Sequence, residues 1–89
     1  MRAVLVAIGA ALALSGCQAP PHDFPASAKA QFNRTCPAND SVCECTWDQI
    51  TRAITYEQYE AALTRFRREG LMDPHITHAR TYCLEHHHA

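Results

Sequence analysis

The sequence predicts a small all-α domain: three helices stapled by disulfides, behind a signal peptide and a proline-rich tether. Three observations carry this. Apolar residues recur at helical spacing in successive stretches between residues 41 and 86, each with its own start signal. Four cysteines, Cys36, Cys43, Cys45 and Cys83, fall in the same region of a short chain. Nothing alternates at period two for long enough to argue a strand.

Arg2 is followed by an uncharged apolar run over residues 3–14, which ends in Leu14-Ser15-Gly16-Cys17. A basic start, a short apolar middle and a small-residue exit describe a secretory signal. A spanning helix needs about 20 apolar residues, and this run is shorter. Leu14-Ser15-Gly16-Cys17 resembles the lipobox of bacterial lipoproteins. The resemblance implies cleavage before Cys17 and acylation of its thiol and new amino group, with chains such as palmitate. One acyl chain holds a protein only marginally, whereas two or three hold it firmly. It also implies that Gln18, in place of an aspartate, directs the product to the outer membrane of a Gram-negative cell, facing the periplasm.

Pro20, Pro21 and Pro25 then lie among small residues. Proline fixes φ and extends the chain, so residues 17–31 read as the lipidated Cys17 and a flexible tether that holds the folded part away from the lipid. Residues 32–86 remain for one domain. A core of roughly 55 residues is marginal without staples.

The first predicted helix covers 41–54. Cys43, Trp47, Ile50 and Ile54 share a face, and Asp40 or Ser41 serves as its cap. Thr55-Tyr56-Glu57-Gln58 fits a capping box and opens a second helix over 56–69. Tyr56, Tyr59, Leu63 and Phe66 form its apolar face, and Gly70 stops it. Asp73 caps a third helix over 74–86, with Pro74 at the first helical position. Ile76, Ala79 or Arg80, and Cys83 share its buried side. Residues 87–89 form a histidine-rich tail. The string Leu84-Glu85-His86-His87-His88 resembles the start of an affinity tag and is left out of the fold argument.

An even number of cysteines in a short exported domain reads as a disulfide framework. Structural zinc prefers two cysteine pairs, and no second pair follows Cys43-Glu44-Cys45. Cys43 and Cys45 are too close to bridge each other comfortably at a helix start. Two schemes remain. Cys43 and Cys83 both sit on apolar faces, which favours Cys43–Cys83 with Cys36–Cys45. The other scheme is Cys36–Cys43 with Cys45–Cys83. Either closes a loop of roughly 40 residues, worth about 4 kcal/mol in the chain-entropy model.

Eight lysines and arginines face nine acids, for a net charge of −1 with neutral histidines. The charges are interspersed and form no basic stripe, which argues against nucleic acid as a partner. No nucleophile is paired with a base: Ser41 has none nearby, and Glu44 and Asp48 read as a solvated helix face. The expectation is therefore a non-enzyme without a cofactor. His75 and His78, three apart on one helix, and His86, His87 and His88 are weak metal candidates. Trp47, Tyr56, Tyr59 and Phe66 read mainly as core. Tyr and Arg also anchor interfaces, so Tyr56, Tyr59, Arg65, Arg67 and Arg68 form the candidate contact surface.

Four stretches carry a second resemblance: Cys43-Glu44-Cys45-Thr46-Trp47-Asp48-Gln49-Ile50, Tyr56-Glu57-Gln58-Tyr59-Glu60, Gly70-Leu71-Met72-Asp73-Pro74 and Ala79-Arg80-Thr81-Tyr82-Cys83. They look like small, cysteine-bridged, helical exported proteins of alphaproteobacteria whose function is uncharacterised. The functional expectation is a lipid-anchored, non-catalytic envelope module that binds or scaffolds another envelope protein. The alternatives are a metal-binding envelope lipoprotein, and an inhibitor or immunity lipoprotein against a cell-wall enzyme.

Overall fold

A computed structural model describes residues 19–87. The lipobox Leu14-Ser15-Gly16-Cys17, Gln18 and His88 lie outside the described residues. The fold is all-α, with no strand among the described residues. It contains the three expected helices and one more. The elements are α1 (Ala26–Phe32), α2 (Ser41–Ala53), α3 (Tyr56–Glu69) and α4 (Pro74–His86). None is long and apolar enough to cross a membrane.

The extra helix, α1, corrects the expected tether. Its sequence, Ala26-Ser27-Ala28-Lys29-Ala30-Gln31-Phe32, is rich in strong helix formers. The prolines precede it and do not interrupt it. Pro25 stands at the N-cap, and its carbonyl accepts the Ala28 N–H at 2.9 Å. Seven residues are too few for a helix to hold by itself in water. Burial supplies the rest. Phe24, Ala28 and Phe32 pack on the core around Trp47.

Local signals end and begin the other helices where the sequence places them, to within a residue. Asp40 caps α2, its Oδ1 accepting from the Val42 and Cys43 amides at 2.8 and 3.1 Å. Thr55 and Gln58 make the reciprocal capping box of α3: the Gln58 N–H donates to Thr55 Oγ1 at 3.1 Å, and the Thr55 N–H to Gln58 Oε1 at 2.8 Å. Gly70 closes α3 at φ 75°, a left-handed value that a side chain would strain. Asp73 caps α4 by accepting the His75 N–H at 2.8 Å, behind Pro74.

Helix α4 lies along α2. The two run antiparallel, because Cys45 near the start of α2 is bonded to Cys83 near the end of α4. Their seam holds the two most completely buried side chains, Ile50 at 1% and Cys83 at 0% exposure. Thr46 and Thr51 are buried as well, each with its hydroxyl donated to a carbonyl of its own helix, Val42 and Asp48. An aromatic cluster closes the other side of α2. The Phe24 ring meets Trp47, Tyr56 and Tyr59 edge-on at 5.3 to 5.6 Å, and Phe32 lies 5.0 Å from Trp47. Edge-on geometry is the favoured one for aromatic quadrupoles.

The pairing is Cys36–Cys43 and Cys45–Cys83, with Cα–Cα distances of 5.4 and 5.7 Å. This corrects the favoured scheme and matches the other. The physical reason is α1. Residues two apart on a helix point about 200° apart, so Cys43 and Cys45 must meet different neighbours. The Trp47 side of α2, which Cys43 shares, is covered by Phe24, Phe32 and the chain leaving α1, and that chain carries Cys36. Cys45 is left facing α4. A second correction concerns Phe66, expected in the core and 44% exposed. Residues 64–70 are all exposed, so the last turns of α3 run past the helices they would pack on.

Candidate binding groove

The four helices leave a groove of about 380 Å³ between the end of α1, the middle of α3 and the start of α4. Its floor is Ile50 and Tyr59, and Phe32, Leu63, Ile76 and Met72 form its walls. The volume falls at the lower end of the range for small-ligand sites, roughly 300–1,000 Å³. Each wall has a local cause. Phe32 is the last residue of α1, and Leu63 lies one turn beyond buried Tyr59 on α3. Met72 sits in the short link between Gly70, where α3 stops, and the Asp73 cap of α4.

Two arginines stand at the rim, Arg34 just past α1 and Arg67 on α3. Both are exposed. Among the described residues neither has a carboxylate within salt-bridge distance; the ion pairs formed are Lys29–Glu44, Arg52–Asp48 and His75–Asp73. Arg67 donates only to Thr64 Oγ1, at 3.3 Å. An apolar trough edged by two uncommitted guanidinium groups suits an apolar group carrying negative charge.

The expected contact surface is only partly assembled. Tyr59 is 6% exposed and belongs to the floor and the aromatic cluster, so it is not a surface anchor. Its burial raises the phenol pKa, and the Glu60 charge adds to this. Tyr56 is half-buried against Phe24. Arg65, Arg67 and Arg68 are exposed, but only Arg67 borders the groove. Arg65 instead faces a smaller recess of about 280 Å³ with Asp73 and His75. Sequence reasoning missed Phe32, Arg34 and Met72. The spacing of Phe24, Ala28 and Phe32, four apart each time, is the signal that would have exposed α1 and with it this side of the groove.

The histidines do not converge. His75 Nδ1 lies 3.0 Å from Asp73 Oδ1, held by the same turn that caps α4. His86 stacks on Tyr82 with ring centroids 4.0 Å apart and sets its Nδ1 2.8 Å from the Tyr82 carbonyl. His78 and His87 are exposed. Among the described residues no group of three or more His, Cys, Asp or Glu side chains is arranged to hold a metal ion. Partial burial alone would raise the Asp73 pKa. The His75 amide and ring outweigh it, with Arg65 adding to them, and hold the carboxyl below its ordinary value.

No family model matches the chain, and no significant likeness to a curated protein or a solved structure was found.

Proposed function

We propose that this protein is a lipid-anchored, non-catalytic module of the outer membrane. It faces the periplasm and engages another envelope protein through the α1–α3–α4 groove. The lipobox-like Leu14-Ser15-Gly16-Cys17 supports the location, and two disulfides suit an oxidising compartment. The observation that carries the binding role is the groove itself: apolar walls, rimmed by Arg34 and Arg67, which have no carboxylate partner among the described residues. The partner segment it fits has a large apolar side chain next to acidic residues. Apolar burial supplies attraction, and the guanidinium pair supplies register and selection against basic segments.

The test is site-specific photocrosslinking in the native cell from position 72. Met72 is on the groove wall and partly exposed, so a photoreactive residue there reaches an occupant without disturbing the core. The expected result is a discrete adduct that disappears when Arg34 and Arg67 are both replaced by glutamate. Absence of any adduct, or an adduct indifferent to that charge reversal, overturns the groove as the binding site.

A further inference from the structure

The segment before α1 is bound to the domain from the first described residue. Arg52 Nη1 donates to the Ala19 carbonyl at 2.8 Å. Asp48 aims that guanidinium by accepting its Nε–H at 3.0 Å. The His22 N–H then donates to the Thr51 carbonyl at 2.7 Å. Thr51 lies in the last turn of α2, where helix carbonyls lack partners within the helix, so the segment completes the helix end. Two residues later Phe24 enters the aromatic cluster. Three anchors in six residues, one of them a cap on a helix terminus, make a strap. A chain meant as a spacer has no need of them.

We propose that this strap seats the C-terminal end of α2 on the membrane surface. The inference rests on the reading of Cys17 as the acylated residue. Two residue steps separate Cys17 from Ala19, and two steps of chain reach no more than about 7 Å. A free tether of about 12 residues has a mean reach near 20 Å and fixes no orientation. With Ala19 held by Arg52, the acyl attachment is confined to one end of the domain, beside Arg52 and Ala53. Helix α3 starts at that end, where Tyr56 meets Phe24. Arg67 lies eleven positions further along it, about 16 Å by helical rise. The seat therefore holds the start of α3 near the lipid and sets Arg67, on the groove rim, up to about 16 Å from it.

The experiment uses the full lipidated protein in vesicles of phosphatidylethanolamine and phosphatidylglycerol with brominated acyl chains, which quench nearby indoles. Two variants each add a tryptophan at an exposed position of α2, Ala53→Trp at its end and Ser41→Trp at its start. The positions are about 18 Å apart along the helix, and buried Trp47 is a common background. The Ala53→Trp protein is expected to lose most of its added emission, and the Ser41→Trp protein to keep its own. A flexible insertion of about ten Gly and Ser residues between Gln18 and Ala19 should abolish that difference and leave the thermal melt unchanged. Intact-protein mass spectrometry separates the two premises. An unacylated Cys17 overturns the lipoprotein reading and the seat with it. An acylated protein whose two tryptophans are quenched alike, or whose difference survives the insertion, overturns the seat alone.

Discussion

Removing each disulfide as a pair should cost very different amounts of stability. Cys45–Cys83 spans 38 positions and Cys36–Cys43 spans seven. In the chain-entropy model the longer loop contributes about 4 kcal/mol and the shorter about 2.5 kcal/mol. Stability for a domain of about 70 residues is typically near 3.5–10 kcal/mol. The long staple alone is thus a large share of what holds the fold. The perturbation is Cys45→Ala with Cys83→Ala, compared with Cys36→Ala with Cys43→Ala, so that no free thiol is left to reshuffle. The chain's single tryptophan, Trp47, is buried between Phe24, Phe32 and Tyr59, and its emission reports the loss of that cluster in urea. The first pair should lose about 1.5 kcal/mol more than the second. Equal losses, the reverse order, or a peptide map joining Cys43 to Cys83 would refute the reasoning.

Two further outcomes follow from single residues. Phe24→Ala removes a half-buried ring with three aromatic partners and should cost about 2 kcal/mol in the same urea assay, roughly half the loss at a fully buried site; a loss within error of zero would return residues 19–25 to the status of a tether. Asp73 has its pKa lowered in the folded state, so the folded protein binds fewer protons there than the unfolded chain. Its contribution is complete above the ordinary carboxyl range near ~3.9 and fades as pH falls through and below that range. Asp73→Ala should cost about 1 kcal/mol at neutral pH, and the gap from the native protein should narrow on acidification; a gap that widens in acid contradicts the cap.

How much was legible depended on how local the physics is. Asp40, the Thr55–Gln58 box, Gly70 and the Asp73-Pro74 pair each act within four residues, and each stands where the sequence places it. A cap satisfies an orphan amide next to it in the chain, so no distant contact is needed to find it. Helix α1 is different. Its prolines read as a spacer, and its seven residues become a helix because Ala28, Phe24 and Phe32 find Trp47 some twenty positions away. Tyr59 was legible only in part: helical spacing places it on the apolar face of its helix, as found, but only the same cluster decides that it is floor of the groove and not a contact residue as well.

The chain by itself determined an all-α fold, the bounds of its three longer helices and the need for oxidised cysteines, because spacing, capping and core size are properties of neighbours in sequence. Only the tertiary structure decided which cysteine meets which, that the segment from Ala19 is strapped to α2, and that a groove opens beside Arg34 and Arg67. Those depend on which surface covers each side of α2, and a side of a helix has no partner until the rest of the chain has folded against it.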